Sequence, residues 1–523
     1  MYAVDFASSE LVSTPRLTDN RYILHSHGGG SGSEHIGHAI QRVTGGGQSV
    51  SLRTWRSSQG RLRVELSGAD IAQFVAKAIP RGMIAQLKIG FQGMTFDEFE
   101  PVGLYQYRNL SGSRNSWVMD FNDIFGALQS ANSSYLSGNF MWHAGRSTVA
   151  TSDWTVGSPA ATLTVDDITG FAMDGATSAR GLLYVPSPYT GDPFYLKYSG
   201  ILTGAKQLNI VNTDVLGTSR GTISASRLDE IVSVGYVQAE LPDVVQKLLF
   251  GGISGSSTMP DAWNLGLNWS SDTVNTGDFN VWRSNFIERF TPFEPDFIAT
   301  DPIVNPYRAI EDFMAAFGSW LVVKEGRLSW RFVQRLVPHD GIGERFILDR
   351  TITDQDIAGE GTYQLYHPDC PSEYYQTFFG GHGAYFSDGA VVDTEPGLFR
   401  LNHESENWVY NDDRFANNNE NAFLNIRTRI GPWYTRVPDS LSLTLAGWRH
   451  ADLVPGDVVL IDSAYVRNMV NYNTLPGGIV GADLSGKYHN GTPYMVTAVD
   501  VDWDGFTVDV ELSTPPQSNV RYT

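Results

Sequence analysis

The chain has 523 residues, of which 12% are aromatic, 18% are charged and 53 are glycine, a mixture typical of a β-rich globular protein with many turns rather than a disordered one. Its formal charge is −20. Because gripping phosphate needs clustered Lys and Arg, the charge argues against a protein that holds nucleic acid, although nucleic acid could still pass through a channel in it. The single cysteine, Cys370, excludes an internal disulfide and any multi-cysteine zinc or iron–sulfur site.

At about 150 residues per domain, the length suggests three or four domains. We find no basic-then-apolar signal at the N-terminus and no apolar run near the roughly 20 residues that cross a bilayer. We therefore expect a soluble protein without a membrane segment, made in a cytoplasm.

The first part of the chain combines strands with a helix. Arg61–Leu66 alternates apolar and polar residues as a strand does, and Ser67–Asp70 then opens a helix that Pro80 ends. We predict that this helix faces inward with Ile71, Phe74, Val75 and Ala78. Further predicted elements are strands at Ile84–Phe91, Val102–Arg108 and Trp117–Phe121 and a short helix at Asn122–Gln129.

Four histidines lie around a glycine-rich segment near the start of the chain: His25, His27, His35 and His38. Imidazoles this close in sequence could bind zinc. Loosely spaced glycines rarely preorganise a metal site, however, so the alternative, an exposed mobile loop, is the interpretation we favour. Without a following Lys-Ser/Thr and a helix, the glycines form no phosphate loop.

Residues 145–237 differ in composition, with less charge and more Thr, Ser and Gly. Turns about every ten residues favour a small sandwich or barrel inserted between better-defined parts. The predicted strands are Ala161–Val165, Gly181–Val185, Phe194–Ser199 and Leu208–Val211.

Two helices and a hairpin are predicted next. The helices are Asp243–Phe250 and Asn305–Phe317, separated in part by a Gly-, Ser- and Trp-rich connection, Gly251–Asn280. The second helix leads into strands Trp320–Val323 and Leu328–Val333, joined at Glu325-Gly326. Residues 345–410 read as mixed strand and loop, and later elements are a helix at Asn417–Ile430, a strand around Leu441–Leu445 and a turn at Pro455–Asp457 before strand Val458–Ile461.

The stretch Met495–Leu512 has the pattern of a β-hairpin that turns at Asp504-Gly505, a pair favoured in two-residue type I′ turns. Alternation assigns Phe506, Val508 and Val510 to a core face opposite Trp503, Val501 and Val499. The other face is acidic, with Asp500 opposite Asp509, Asp502 opposite Thr507 and Ala498 opposite Glu511. A like-charge pair costs a few tenths of a kcal/mol or more, so stability alone does not explain Asp500 and Asp509.

The same residues also fit the calcium-loop template D-x-D-x-D-G-x5-E: Asp500, Asp502, Asp504, Gly505 and Glu511. That template needs flanking helices, and here both flanks alternate as strands. The hairpin is therefore our prediction, with a surface calcium held by Asp500, Asp502, Asp504 and Glu511 as the minor alternative.

Catalytic patterns are weak. Glu98 and Glu100 could serve as an acid and a base, but carboxylates two apart on a strand share a solvated face. Trp142-His143 and Trp448-Arg449-His450 could line a sugar site, although packing explains such aromatics better. No Gly-x-Ser-x-Gly, His-Glu-x-x-His or Cys/His nucleophile arrangement occurs. We therefore expect no enzyme activity and no cofactor.

Five segments together resemble the baseplate or tail-tip hub proteins of tailed bacteriophages, of the type with long non-contractile tails. Between residues 60 and 515 their order along the chain carries the resemblance more than any single one does. The segments are LSGADIAQFVAKAIPRG (66–82), IGFQGMTFDEFEPVG (89–103), LPDVVQKLLFG (241–251), YRAIEDFMAAFGSWLVVKEGRLSWRF (307–332) and WRHADLVPGDVVLI (448–461).

The resemblance implies an α+β, β-rich chain with two tube-like β-barrel domains, a helix–hairpin domain and an inserted small β module. The boundaries we expect are 1–144 for the first tube-like domain, 145–237 for the inserted module, 238–335 for the helical and helix–hairpin segment, 336–430 for a mixed connecting domain and 431–523 for the second tube-like domain. The cysteine cluster that some tail-tip proteins use for iron–sulfur binding is absent, so no such cofactor follows.

In function, the resemblance implies a structural, non-catalytic homotrimer at the tail tip of a virion, assembled in the host cytoplasm, that continues the tail tube and forms the conduit for genome ejection. Its implied partners are a distal tail ring protein, the tape-measure protein and central tip or fibre proteins, and DNA passes through without stable binding. We expect the acidic face of Asp500, Asp502, Asp509 and Glu511 to line the lumen or its mouth; partner Lys or Arg at a subunit interface is the alternative. The other class of function left open is a carbohydrate-binding or carbohydrate-degrading tail protein.

Overall fold

The structure is a computed structural model of the chain. The residues that it describes are 2–7, 16–18, 35–36, 39–52, 54–91, 94, 98–113, 116–129, 147–155, 162–168, 181–190, 194–214, 222–238, 242–243, 245–246, 273–290, 296–299, 311, 314–315, 317–334, 336, 347–364, 373–380, 390–392, 398–405, 408–409, 433, 438–466, 481–482, 488–489 and 492–514.

The first part of the chain forms the N-terminal sheet, with spatial order β3-β2-β1-β8-β9-β10-β7-β4. The strands are β1 (Tyr2–Ala7), β2 (Arg16–Thr18), β3 (His35–Ile36), β4 (Ile40–Gly45), β7 (Leu62–Leu66), β8 (Ile84–Ile89), β9 (Glu100–Ser113) and β10 (Ser116–Asp123). Helix α1 (Ala69–Ala78) follows β7, and α2 (Ile124–Gln129) follows β10, as the sequence predicts. Two further strands, β5 (Gln48–Val50) and β6 (Ser57–Gln59), belong to another sheet.

A second sheet, the middle sheet, has the order β13-β16-β15-β14-β18-β19-β27, and β11 also pairs with β18. Its strands are β11 (Ser147–Val149), β13 (Thr162–Thr164), β14 (Gly181–Val185), β15 (Phe194–Leu202), β16 (Gln207–Asp214), β18 (Glu230–Gln238), β19 (Asp296–Ala299) and β27 (Trp408–Val409). A small separate pair joins β12 (Trp154–Thr155) to β17 (Thr222–Ile223). Strands β19 and β27 come from well beyond residue 237, so the middle sheet draws on more of the chain than 145–237.

The last part of the chain forms the C-terminal sheet, in the order β22-β29-β32-β33-β28-β23. Its strands are β22 (Leu348–Thr353), β23 (Thr362–Gln364), β28 (Asp439–Ala446), β29 (Val458–Asp462), β32 (Thr492–Asp502) and β33 (Thr507–Thr514). The remaining strands make small sheets: the hairpin β20 (Ser319–Lys324) with β21 (Arg327–Phe332), the group β24 (Glu373–Gly380), β25 (Ala390–Val392) and β26 (Leu398–Ser405), and the pair β30 (Gly481–Ala482) with β31 (Tyr488–His489).

The N-terminal and C-terminal sheets share one topology. The path β1-β8-β9-β10-β7-β4 corresponds strand for strand to β22-β29-β32-β33-β28-β23, and the six strands follow each other along the chain in the same sequence in both. Neighbours are antiparallel throughout, except that β22 runs parallel to β29 where β1 runs antiparallel to β8. Helix α1 connects β7 to β8, and a short 3-10 turn, Trp448–His450, lies between β28 and β29.

The equivalence extends to an irregularity inside the paired hairpins. From its turn, the β9–β10 hairpin has five regular pairs, Ser113↔Ser116 to Asn109↔Asp120, and then a bulge at Arg108. The β32–β33 hairpin has five pairs, Asp502↔Thr507 to Ala498↔Glu511, and then a bulge at Thr497. Because a bulge re-aims a strand, the same bulge at the same distance from the turn marks the two sheets as repeats of one unit.

Two features join the repeated units to each other. Strands β5 and β6 leave the N-terminal part and extend the C-terminal sheet, with Ser49 beside Ala498. In the opposite direction, Trp503 from the tip of β32–β33 packs in the N-terminal core, and its indole N–H donates to the Gly45 carbonyl at 2.8 Å. The units are therefore interlocked rather than linked only through the chain.

The β20–β21 hairpin lies between the two units and is almost entirely buried. Its turn at Glu325-Gly326 has two positive φ angles, as predicted. The Gln48 side chain exchanges two hydrogen bonds of 2.9 Å with the Val323 backbone, and the Trp320 indole donates to the Pro455 carbonyl at 3.1 Å. Those contacts are with the C-terminal sheet and the turn before β29. On the other side, the Gln86 side chain of β8 in the N-terminal sheet donates to the Gly326 carbonyl at 3.1 Å, so the hairpin contacts both units.

The turn of the β32–β33 hairpin differs from the prediction. The last pair is Asp502↔Thr507, so the turn has four residues, and Phe506 rather than Gly505 takes a positive φ of 56°. Asp502 Oδ1 accepts hydrogen bonds from the backbone N–H groups of Asp504 and Gly505 and so stabilises the wider turn. The assignment of Phe506 to the core was wrong, since it is 52% exposed, whereas Val508, Val510 and Trp503 are buried.

Helix α3 (Thr276–Phe290) begins inside the stretch that the sequence suggested was a connection. Its buried residues Phe279, Trp282 and Phe286 recur at helical spacing, a signal that the sequence analysis did not use. Of the predicted helix at 305–317, Glu311, Met314 and Ala315 are helical, and residues 242–243 and 245–246 of the earlier one are too. The predicted helix at 417–430 and Cys370 lie outside the described residues.

The chain is thus β-rich with few helices in its described part, as expected. None of the described helices combines the length and apolar composition that crossing a membrane requires.

Candidate functional site

The acidic face, defined by Asp500, Asp502, Asp509 and Glu511 on β32 and β33, is the outer surface of the C-terminal sheet. The predicted pairs Asp500↔Asp509, Asp502↔Thr507 and Ala498↔Glu511 all form. Leu443, Leu445 and Val508 point the other way into the core, which fixes the side on which the carboxylates lie.

A continuous row of small and polar residues crosses this face. Each residue is the direct neighbour of the next across five strand pairs: Thr362, Ser442, Glu511, Ala498, Ser49 and Ser58. Thr444, Asp509 and Asp500 form a second row beside it. Small hydroxyl side chains and carboxylates therefore cover six strands, two of which, β5 and β6, come from the N-terminal part.

The face forms one wall of an open cavity of about 530 Å³. Asp500, Asp509, Glu511 and Glu360 lie along its wall, and none of its described lining residues is Lys, Arg or aromatic. Gly47 closes one side, where a Cβ would lie 2.8 Å from Asp500 Oδ1. The cavity therefore presents uncompensated negative charge.

The carboxylates of the hairpin have different surroundings. Asp509 accepts a hydrogen bond of 2.5 Å from the Thr444 hydroxyl. Burial, followed by the charges of Asp509 and Asp502, raises the pKa of Asp500 above its ordinary value, against a lowering contribution from the Val501 backbone. Asp504, at the turn, is instead paired with Arg42 at 2.7 Å. The like-charge pair of Asp500 and Asp509, which the sequence predicts to be unfavourable, therefore forms in the folded chain.

The calcium template is not assembled. Its residues lie on two strands and a turn, where Asp502 caps the turn and Asp504 binds Arg42. Within the described ranges, no group of three or more His, Cys, Asp or Glu side chains could hold a metal ion. His35 lies in β3, while His25, His27 and His38 lie outside those ranges.

A chain of buried and partly buried charges, which the sequence did not reveal, surrounds Lys324 and Arg331 of the β20–β21 hairpin. Asp457 accepts from Lys324 at 2.8 Å and from Arg331 at 3.0 Å, and Arg331 also donates to Asp278 at 2.6 Å. Burial alone would lower the pKa of Lys324, but Asp457 and Asp349 raise it above its usual range. The guanidinium of Arg331 also lies 4.4 Å from the Trp282 ring centre.

These contacts connect α3, the β20–β21 hairpin and the turn before β29, and they continue through Asp349 to Arg350, which binds both oxygens of Asp452 at 2.7 Å. Every charge has an opposite partner, as buried charges require. We interpret the cluster as structural. Its residues are far apart in the sequence, so no local motif predicts it.

The described candidates for a sugar site have other surroundings. Glu98 and Glu100 are exposed and flank the buried Phe99. Trp448 packs against Trp503 and Phe506, with ring centres 5.6 and 5.1 Å apart, so it serves packing. Trp142 and His143 lie outside the described residues.

His450 is buried beside Asp356, 3.3 Å from it, and accepts from the Arg449 side chain. Burial, followed by the charges of Arg350 and Arg449, lowers its pKa to about 4, so the imidazole is neutral at pH 7.

A scan against protein-family models finds no match, and a search of curated proteins finds none either.

Solved structures similar to the chain are phage tail and baseplate components. A 43 kDa tail protein of prophage MuSo2 from Shewanella oneidensis is 10% identical, with 91% of this chain and 93% of that chain covered and a TM-score of 0.29. The prophage tail protein gp18 from Listeria monocytogenes EGD-e is 8% identical, with 92% and 90% covered and a TM-score of 0.30. A phage P2 baseplate in its activated conformation is 9% identical, with 99% and 100% covered and a TM-score of 0.21. Because these TM-scores are 0.30 or less, the function of this chain has to be inferred from its own geometry.

Proposed function

We propose that the chain is a structural hub of a phage tail tip or baseplate, a homotrimer that closes and continues the tail tube around the conduit for genome ejection. The observation that carries the proposal is the internal repeat: two sheets with one strand order and one bulge position within a single chain. A chain with two equivalent units makes a ring of six when three copies assemble. Head-to-tail contacts between unlike units can close such a ring.

The interlocked units support this role. Trp503 in the N-terminal core, β5 in the C-terminal sheet and the buried β20–β21 hairpin hold the units together through three separate connections. A ring that transmits force between a tube and a tip needs subunits that do not flex between their two halves. The two tube-like domains of 1–144 and 431–523, the inserted module of 145–237 and the parts between them remain our interpretation of the chain's organisation.

We propose that the acidic face lines the lumen or its mouth. Three copies of Asp500, Asp509 and Glu511 would form a negative collar, which repels DNA phosphate within a Debye length of about 8–10 Å. The pKa of Asp500 is raised, and no described lining residue is basic, so the negative charge does not stabilise the chain itself. Both observations support a role for this charge outside the chain.

The partners we propose are a distal tail ring protein, the tape-measure protein and a central tip or fibre, in a virion assembled in the host cytoplasm. DNA would pass without stable binding, and the protein would have no catalytic activity. We propose these partners because the sequence resemblance implies them. The internal repeat supports only the ring, to which these partners would bind.

The proposed trimeric hub can be tested by measuring the mass of the assembly and imaging its shape. Native mass spectrometry of the purified chain should give a trimer, and electron microscopy should show a ring of six similar lobes. A stable monomer, or an assembly without a central opening, would contradict the proposal.

Reversing the charge of the acidic face tests whether that face lines the lumen. The double variant Asp500→Lys/Asp509→Lys should still form trimers, but particles carrying it should retain DNA at low salt. As a matched control, Asp70→Lys/Glu230→Lys reverses two exposed charges away from the face and should retain none. Dissociation of the trimer by the first variant alone would show that the face is a subunit interface.

The alternative, a carbohydrate-binding or carbohydrate-degrading tail protein, is favoured by one observation, the hydroxyl- and carboxylate-lined cavity of about 530 Å³. Sugar sites usually add aromatic side chains, and the described lining has none. Release of saccharide from host envelope that is lost in Glu511→Gln would support this alternative over the hub.

A further inference from the structure

We propose that Lys324 and Asp457 condense into an isopeptide bond, an amide between their side chains that joins the β20–β21 hairpin to the turn before β29. The two residues are 133 positions apart in the sequence, so the bond would close a long loop. With a single cysteine the chain can form no internal disulfide, and the amide would give it an internal covalent link of another kind. This inference goes beyond the proposed hub and does not depend on it.

The two side chains are in contact and removed from water. The Lys324 Nζ lies 2.8 Å from Asp457 Oδ2, and the two side chains are 7% and 2% exposed. Lys324 is held at the end of β20 by pairing with β21, and Asp457 Oδ2 also accepts from the backbone N–H of Val454 at 3.1 Å. Reacting groups fixed in one geometry reach effective concentrations of about 10⁵–10⁸ M, so the site favours a reaction that free side chains would not undergo.

A second carboxylate is placed to accept a proton from the lysine. Asp349 Oδ1 lies 3.2 Å from the Lys324 Nζ, and Asp349 Oδ2 accepts from Arg350 at 2.8 Å. Burial raises the pKa of Asp457. Burial would raise the pKa of Asp349 too, but the charges of Lys324 and Arg350 lower it below its ordinary value. Carboxyl groups whose pKa values are pushed apart suit an acid and a base, so Asp457 is the group attacked and Asp349 the proton acceptor.

The atoms and charges of the reaction balance. The Lys324 ammonium gives one proton to Asp457 Oδ2, and the free amine attacks Cγ of that carboxyl group. Arg331 Nε, 3.0 Å from Asp457 Oδ1, stabilises the negative charge that develops on this oxygen. Asp349 takes a second proton from the nitrogen and passes it to Oδ2, which leaves as water. One ammonium and one carboxylate thus become one neutral amide and one water, without an oxidant or a cofactor.

The proton transfer sets the pace of this reaction. Burial lowers the pKa of Lys324, but the charges of Asp457 and Asp349 raise it above its usual range. The free amine is therefore a minor form, and it exists beside Asp457 only once β20 and the turn before β29 have come together. The bond should accordingly form after the chain has folded rather than during folding.

The surrounding charges stay paired when the bond has formed. Arg331 keeps Asp278 at 2.6 Å, and Asp349 keeps Arg350. A buried ion pair carries a desolvation penalty for each of its ions, and the amide removes both charges of Lys324 and Asp457. The product is therefore compatible with the interior in which it forms.

Intact mass under denaturing conditions tests the bond. The full chain, purified and kept folded, should have a mass that is one water lower than its sequence requires. Trypsin should no longer cleave after Lys324, and the digest should contain a branched peptide in which Lys324 is joined to Asp457. The branched peptide identifies the bond, because a succinimide at Asp504-Gly505 would also lack one water.

Two variants and a control separate the roles of the residues. Lys324→Arg keeps the positive charge but has no amine to attack the carboxyl group, so it should have the full mass of its sequence. Its matched control, Lys206→Arg, changes an exposed lysine 4.0 Å from Asp166 and should still lose one water. Asp349→Asn keeps the shape of the site without the proton acceptor and should form the bond about 100-fold more slowly.

Three outcomes would count against the proposal. A wild-type chain that is folded by circular dichroism and yet keeps the full mass of its sequence would overturn it. A Lys324→Arg chain that loses one water would overturn it as well, since the water would then come from another site. An unchanged rate of bond formation in Asp349→Asn would show that Asp349 is not the proton acceptor.

Discussion

The outer faces of the two repeated sheets differ in charge: the C-terminal one carries like-charged carboxylates, and the N-terminal one carries neutral or ion-paired residues. Counted from the hairpin turn, Asp500 and Asp509 in the C-terminal sheet occupy the positions of Ser111 and Val118 in the N-terminal sheet. The next pair shows the same contrast, since Glu511 lies beside Ser442, whereas its equivalent Asp120 binds Arg63 at 3.0 Å.

The comparison separates what the fold requires from what is added to it. One topology forms with a neutral or paired outer face and also with four carboxylates that have no ion pair among the described residues. The acidic face is therefore unnecessary for the topology, and its repulsion is a cost that one unit bears and the other avoids. This is the strongest reason to assign the face a role outside the chain.

The core side should be the least tolerant of charge. Val508→Asp would bury an unpaired carboxylate and lose the packing of valine, so we expect the free energy of unfolding to fall by about 5 kcal/mol or more, measured by chemical denaturation. The control is Val118→Asp, which places an acid at the position of Asp509 on the outer face of the N-terminal sheet and should cost about 1 kcal/mol or less. Near-normal stability of the Val508 variant would mean that the hairpin faces are reversed.

The second-largest effect concerns ion pairs, which should contribute differently to the stability of the two units. Asp457→Asn leaves Lys324 and Arg331 with less compensation in the interior, where they are 7% and 1% exposed in their side chains, and should cost about 3 to 4 kcal/mol. Asp120→Asn removes the exposed pair with Arg63 and should cost about 1 kcal/mol or less. Equal losses in thermal denaturation would show that the buried chain of charges does not hold the hairpin to the sheet.

The smallest effect concerns pH. A raised pKa means that folded Asp500 binds protons that the unfolded chain has already released, so its contribution to stability falls as pH rises from the ordinary aspartate value of 3.8 through the raised one. Asp500→Asn should therefore raise the melting temperature at pH 7, and the gain should disappear at pH 3.5. The neutral equivalent, Ser111→Asn, should show no such pH dependence. A lower melting temperature for Asp500→Asn at pH 7 would show that the carboxylate stabilises the fold.

Sequence reasoning succeeded where the pattern is local. Alternation and turn residues located the β20–β21 and β32–β33 hairpins, and they assigned the acidic face to the correct side with the correct pairs. Phe506 was misplaced because the side chain of Asp502 stabilises a four-residue turn that competes with the expected two-residue one.

What the sequence concealed depends on contacts between distant segments. No local pattern connects Arg331 to Asp457 or places Gln48 beside Val323, since these partners are separated by 126 and 275 residues. The repeat was equally hidden, because the two units share strand order and a bulge but no visible sequence motif. Helix α3, by contrast, could have been predicted, because Phe279, Trp282 and Phe286 recur at helical spacing and pack against the rings of β21.

The pairing of β5 with β32 has a consequence for synthesis. Ser49 and Ala498 are partners across 498 − 49 = 449 residues. At about 5–20 residues per second, a ribosome would need roughly 20 to 90 seconds to deliver β32 after β5 has been made. Throughout that interval the β5–β6 hairpin would present an open strand edge, which is a site for aggregation or for a chaperone. The C-terminal sheet therefore cannot close until the ribosome has passed residue 499, and a chain interrupted before that point would keep an unpaired strand edge at β5.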